Sequence, residues 1–195
     1  MNKEKILYLI TGPIAAGKST CISCLVDYLG LSSLEYISAD TYYSLYFKDF
    51  FSSEGIAYAR AKQYCTYKLH KAVSQGRSFI WETVVAKEKK LELIKSFVSK
   101  GYVLKCLYIG TGDYNISIAR VAQRHKQGWY TVPDSKTVDR HRKSMDYLME
   151  LIQLAESMIV IENAVDCVKV VMWKESKTIQ YQDSGCRWLP DQYDE

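Results

Sequence analysis

The chain has 195 residues, 48% of them hydrophobic and 25% charged, with a net charge of +4. That length suggests one domain over 1–195 with a core large enough to need neither disulfides nor a structural metal. No run approaches the roughly 18 apolar residues of a membrane span. The mild positive charge, not gathered into any recognisable nucleic-acid module, argues against a nucleic-acid partner. The opening Met1-Asn2-Lys3-Glu4-Lys5 passes straight into an apolar run without the pattern of a secretory leader, so a cytoplasmic protein is expected.

Ile6 to Ile10 reads as a β-strand and Cys21 to Leu29 as a helix. Between them, Gly12-Pro13-Ile14-Ala15-Ala16-Gly17-Lys18-Ser19-Thr20 satisfies the G-x-x-x-x-G-K-[ST] pattern. In the strand, glycine loop, helix context, loop amides and the positive helix end converge on an anionic phosphate. Lys18 is then expected to reach the outer phosphate oxygens and the Ser19 hydroxyl to ligate Mg²⁺. Cys21 and Cys24 form a C-x-x-C within that helix, where packing is favoured over redox chemistry, and the remaining four cysteines lack zinc-ligand spacing.

Further along, Leu34 to Ser38 reads as a strand ending at Asp40, and Ser53 to Ser74 as a helix that Ser52 or Ser53 can cap. Phe79 to Trp81 is a third strand running into Glu82-Thr83, Ala86 to Ser99 a helix, and Tyr102 to Ile109 a fourth strand. Asp113 to Lys126 reads as a helix, broken by a loop at 127–133. Asp134 or Ser135 can cap one long helix to about Ser157, followed by a strand to Asn163 and a hairpin pairing Val165–Trp173 with Thr178–Tyr181. From Asp183 the tail is polar and reads as loose. Near-continuous apolar strands alternating with helices imply an α/β protein with a mostly parallel sheet of five or more strands, covered on both faces in three layers.

Ligands of such sheets bind at the carboxyl ends of the strands, which gathers the phosphate loop, Asp40, Glu82-Thr83 and Gly110 to Asp113 on one rim. Asp40 could serve as the base that deprotonates an acceptor hydroxyl, help hold Mg²⁺, or cap a helix starting near Thr41. Glu82 and Thr83 suit a polyhydroxyl acceptor or the metal's water shell, or simply end a strand. Arg120 and Arg124, four apart, share a helix face, and an antiparallel neighbour would bring Arg140 toward the same phosphates. Surface pairing with Asp113, Asp134 or Asp139 is the alternative for these arginines. The absence of four apolar residues ending in Asp tells against motor and switch ATPases.

These segments, in this order, resemble the zeta-toxin family of phosphate-loop kinases. The loop from Gly12 to Thr20, Asp40, the Trp81-Glu82-Thr83 segment, the arginines of 120–133 leading to Val132-Pro133, and the Glu162-Asn163 pair carry the likeness. It implies a P-loop fold with a helical lid at about 113–142, nucleotide contacts extending to Asn163, and ATP or GTP with Mg²⁺. It further implies phosphoryl transfer to a small acceptor, most notably the 3′-hydroxyl of UDP-N-acetylglucosamine, and an antitoxin protein as a partner. The chain departs from the family in having Gly128-Trp129-Tyr130 in place of Gly-Gly-His, and Asp139-Arg140 in place of paired arginines. A nucleotide-dependent binding protein without transfer, or a nucleoside, shikimate-like or antibiotic kinase, would share the donor site.

Overall fold

The computed structural model describes residues 4–28, 30–127, 132–165 and 167–189. Seven strands form one sheet in the order β2-β3-β1-β4-β5-β6-β7, where β1 is Lys5–Thr11, β2 Glu35–Ser38, β3 Phe79–Glu82, β4 Tyr102–Gly110 and β5 Ser157–Asn163. These five run parallel, and β6 (Val168–Glu175) and β7 (Thr178–Gln182) add an antiparallel hairpin at one edge. The parallel strands are apolar on both faces because each face is covered. Leu7, Leu9, Phe79, Leu104 and Tyr108 pack on one side with residues of helices α3 (Glu54–Ser74), α4 (Glu88–Ser99) and α7 (Leu148–Leu154). On the other, Ile10 and Ile80 meet Ile22 and Val26 of α1 (Lys18–Tyr28). The α/β, three-layer architecture expected from the sequence is thus the one found.

Several local expectations are corrected. After β2 the chain makes a short helix α2 (Ala39–Tyr42) that continues into a π-helical turn at Tyr43–Phe47. Ser38 caps α2, its Oγ accepting from Thr41 N at 3.4 Å, so Asp40 sits inside the first turn with its carboxylate free of any capping duty. Ser53 occupies the position before α3 but its side chain makes no capping bond.

The single long helix expected after the 127–133 loop is two: α6 (Asp134–Asp146) and α7, meeting at Tyr147. At the break the buried Tyr108 hydroxyl donates to Ser144 O at 3.1 Å, taking up a carbonyl that a continuous helix would offer to the amide four residues on. Pro133, not Asp134 or Ser135, stands at the cap position of α6. The preceding helix, α5 (Tyr114–Lys126), is capped by Asp113, whose Oδ1 accepts from Asn115 N at 2.8 Å.

The hairpin is present, with β6 starting at Val168. The segment after it is packed rather than loose: Cys186 and Leu189 are buried in the core. Residues 190–195 of that tail, and the Gly128-Trp129-Tyr130 departure, lie outside the described residues. Among the described residues, no helix is long and apolar enough to cross a membrane.

Candidate active site

The glycine loop is built on two close approaches, one to backbone that leaves no room for a side chain and one to a side-chain amide. At Gly12 a Cβ would lie 2.0 Å from the Ile109 carbonyl of β4, and at Gly17 it would lie 2.3 Å from Asn163 Nδ2. Both glycines have positive φ, +134° and +92°, and Ala15 between them is also left-handed at +56°. Asn163 Nδ2 donates to Ala16 O at 2.8 Å, so a residue from the end of β5 holds the loop from outside. Thr20 and Cys21 amides both donate to Gly17 O at 3.1 Å and start α1 directly at the loop's end.

Lys18 is buried, and its Nζ donates to Pro13 O at 2.7 Å and Gly12 O at 3.2 Å. The expected reach to phosphate therefore starts from an ammonium that also ties the loop's first carbonyls together. Burial lowers its pKa, opposed by the negative charges of Glu82 and Asp40, while Arg124 pushes the same way as burial. Ser19 Oγ donates to Glu82 Oε1 at 3.0 Å, and the other carboxylate oxygen accepts from the Tyr36 hydroxyl. Burial and the adjacent Glu82 charge push the Tyr36 pKa up, which keeps that phenol a donor. Register explains the meeting, because Glu82 stands opposite Ser38 of β2 on one side and Ile10 of β1 on the other.

Asp40 lines the same small cleft as Ile14, Gly17, Lys18, Ser19, Glu82 and Arg124. Its Oδ1 accepts from the Tyr58 hydroxyl of α3 at 2.6 Å, and the Lys62 ammonium, one helical turn on, lies 4.5 Å from the Tyr58 ring. Thr83 is held differently from expectation: its Oγ1 accepts from Lys90 Nζ, which also donates to Val84 O at 2.9 Å. Burial lowers the Lys90 pKa to about 8, an effect that Cys65 and Asp40 oppose and Lys62 and Arg140 reinforce. Lys62 is lowered likewise, by burial first and then by Arg140 and Lys87.

The three arginines do not converge on one point. Arg124 lines the cleft at the phosphate loop. Arg120 reaches across to the loop after β5, Nη2 donating to Ala164 O at 3.4 Å, while its Nη1 is buried without a partner. Arg140 is close enough to Lys62 and Lys90 for the three charges to repel, on the side of Asp40. Two of the acidic residues considered as arginine partners are committed elsewhere, Asp113 to its cap and Asp139 to Lys143 at 2.9 Å. The residues the sequence reading missed are Tyr36, Tyr58, Lys62 and Lys90. Only Lys90, seven residues past Thr83 on the next helix, carries a local signal. A wider depression lined by Ser33, Glu35, Lys68 and Arg77 opens at the opposite, amino end of β2, where Glu35 pairs with Lys68 and with Arg77.

The oxygen donors Ser19 and Glu82, with Asp40 in the same cleft, form a hard-ligand set that suits Mg²⁺. Among the described residues no group of three or more His, Cys, Asp or Glu could hold a metal on its own.

A phosphate loop between β1 and α1, in a 2-3-1-4-5 parallel core with a carboxylate after β2 and another ending β3, defines a P-loop protein of kinase-like architecture. The family model described as Zeta toxin matches residues 1–184, and the chain belongs to the zeta-toxin family. Among solved structures, a chain of the AvrRxo1-ORF1:-ORF2 complex with ATP superposes with a TM-score of 0.76 at 11% identity, over 95% of this chain and 63% of that one. The present chain thus spans less than two thirds of that relative. A chain of the PezAT chromosomal toxin-antitoxin system of Streptococcus pneumoniae gives 0.59 at 15% identity, over 83% and 69%. A putative kinase from Chloroflexus aurantiacus gives 0.55 at 18%, over 73% and 79%. No curated protein sequence matches the chain.

Proposed function

We propose that this protein is a Mg²⁺-dependent kinase that moves the γ-phosphoryl group of ATP, or of GTP, to a hydroxyl of a small phosphate-bearing acceptor. The observation that carries the reading is the cleft in which Asp40 faces Lys18, Ser19, Glu82 and Arg124. A protein that only held nucleotide would have no use for a second carboxylate there, fastened by Tyr58.

In this mechanism backbone amides of the loop between Ile14 and Ser19 and the Lys18 ammonium bind the donor phosphates, with Asn163 and Ala16 keeping the loop in shape. Ser19 and Glu82 are the residues that would hold Mg²⁺, whose charge offsets that of the β- and γ-phosphates. Asp40 orients the acceptor hydroxyl and takes its proton. The hydroxyl oxygen then bonds to the γ-phosphorus as the bond to the bridging oxygen of the leaving nucleoside diphosphate breaks. Arg124 and Arg120, on the helical lid we assign to about 113–142, sit on the donor side, where delocalised guanidinium charge suits the spreading negative charge. Thr83 and Glu82 border the acceptor side.

The acceptor's phosphate is inferred from Lys62, Lys90 and Arg140. Three mutually repelling cations beside Asp40, two of them with lowered pKa, are a costly arrangement that an anion would relieve. UDP-N-acetylglucosamine meets that requirement and is the first acceptor to try. Family membership and the likeness to a toxin-antitoxin chain support an antitoxin as protein partner. The supply of ATP supports a cytoplasmic place of action.

The test is ATP turnover with Mg²⁺ against a panel of UDP-sugars, nucleosides and aminoglycosides, with Asp40→Ala alongside. Acceptor-dependent turnover lost in Asp40→Ala is expected. Unchanged turnover in that variant would sink the mechanism, and ATP binding with no transfer to any acceptor would replace it with a nucleotide-dependent binding protein.

A further inference from the structure

The chain after β7 returns to the rim and is fastened there. Asp183 N donates to Val171 O at 2.8 Å, and the Asp183 carboxylate pairs with Lys169 Nζ at 2.9 Å and accepts from Gly185 N at 2.9 Å. Two successive turns follow, Cys186 N to Asp183 O and Leu189 N to Cys186 O, both 3.1 Å, and the Cys186 and Leu189 side chains enter the core. Trp188, between them, lies flat against the backbone where β4 passes into α5. A Cβ at Gly110 would meet its Cη2 at 2.5 Å, and one at Gly112 its Cδ1 at 2.7 Å, so glycine at both positions makes room for the indole. The ring packs 6.3 Å from the Tyr108 ring, centroid to centroid.

The indole's one polar atom is also committed: Nε1 donates to Glu162 Oε1 at 2.7 Å. Glu162 pairs with Gly110 in the β4–β5 register, and the next residue of the strand, Asn163, faces the other side of the sheet. Consecutive residues of β5 are therefore tied in opposite directions, Glu162 to the returning segment and Asn163 to the carbonyl of Ala16 in the phosphate loop. A shift of the end of β5 would move both bonds.

We infer that Asp183–Leu189 is a strap on the nucleotide-binding rim and that Trp188 is a positioning residue, acting through Glu162 and Asn163 on the phosphate loop. This rests on the nucleotide site proposed above. A tryptophan that merely fills space would matter for global stability alone; a strap makes the Trp188 to Glu162 hydrogen bond matter locally, at the loop.

The experiment compares wild-type protein, Trp188→Phe, Glu162→Ala and the double variant. Trp188→Phe keeps an aromatic ring against Tyr108 and loses the donor; Glu162→Ala loses the acceptor. The readouts are amide hydrogen exchange at Thr20 and Cys21 and binding of a non-hydrolysable ATP analogue. Loss of a hydrogen bond to a charged group predicts about tenfold faster exchange at those amides and about tenfold weaker binding. Exchange in α4 stays at the wild-type rate, and the double variant is no worse than Glu162→Ala, which also loses the 3.6 Å pairing of Glu162 with Lys169. Wild-type exchange and affinity in Trp188→Phe would overturn the inference, as would an acceleration shared equally by α4. Wild-type protein that binds no ATP analogue would sink the proposed kinase, while the exchange rates would still decide for or against the strap.

Discussion

Gly112 and Gly30 make a matched pair that isolates the contact between the returning segment and the rim. Their φ angles are nearly equal, +64° and +65°, but a Cβ at Gly112 would lie 2.7 Å from Trp188 Cδ1, whereas one at Gly30 would meet nothing within 4 Å. Substitution by alanine therefore costs both sites the left-handed penalty, ~1–2 kcal/mol, and costs Gly112 an additional ~1–3 kcal/mol for overpacking against the indole. At about 2–4 °C per kcal/mol for a chain of this size, Gly30→Ala should lower the midpoint of thermal unfolding by about 2–8 °C and Gly112→Ala by about 4–20 °C. The decisive measurement is the double-mutant cycle with Trp188→Ala, followed by circular dichroism and by urea titration. With the indole gone, Gly112→Ala should cost no more than Gly30→Ala, leaving an interaction energy of ~1–3 kcal/mol. An equal cost of Gly112→Ala in both backgrounds would refute the steric account.

Asp40→Asn keeps the shape of the side chain and its contact with Tyr58 but cannot accept the hydroxyl proton. Transfer should fall by roughly 100-fold or more while ATP affinity measured by calorimetry stays near the wild-type value, and comparable losses in both would argue against its role as base. Lys90, with its pKa lowered to about 8, carries its charge below that pH and loses it above. If the ammonium holds the acceptor's phosphate, KM for the acceptor should rise as pH climbs through about 8. Lys90→Arg, charged throughout, should flatten that profile, and an unaltered profile would remove Lys90 from the acceptor site. Since the unfolded side chain titrates near 10.5, folding stability should itself increase between about pH 8 and 10.5 as the folded state sheds this proton first. Asn163→Ala removes the bond to Ala16 O and should weaken ATP binding about tenfold with little effect on kcat at saturation; a fall confined to kcat would contradict the loop-holding role.

The donor half of the site was legible because the chemistry of a phosphate loop is local: nine consecutive residues between a strand and a helix determine it. Asp40 and Glu82 were reachable by one further rule, that ligands gather at the carboxyl ends of parallel strands. What escaped was whatever depends on elements meeting at a distance. Tyr36 and Glu82 are 46 residues apart, and Tyr58 lies a helix away from Asp40. No periodicity distinguishes these tyrosines from those that only pack, such as Tyr64 between Tyr42 and Tyr67. The division of the helix at Tyr147 was hidden for the same reason, since the hydroxyl that claims Ser144 O belongs to β4. Trp188 reads in sequence as one aromatic in a polar tail, and its significance lies in two glycines about 80 residues earlier that leave a seat for it.

The bond between Asn163 and Ala16 spans 147 residues. During synthesis the glycine loop leaves the ribosome before Asn163 and can be fastened only once that residue has emerged, and Trp188 can seat later still. A chain made only as far as β4 therefore presents a loop with no Asn163 to hold Ala16 O. Parallel strands whose neighbours are far apart in sequence also fold slowly. The order of synthesis thus puts the shaping of the loop after the completion of β5, not at the moment the loop itself is made.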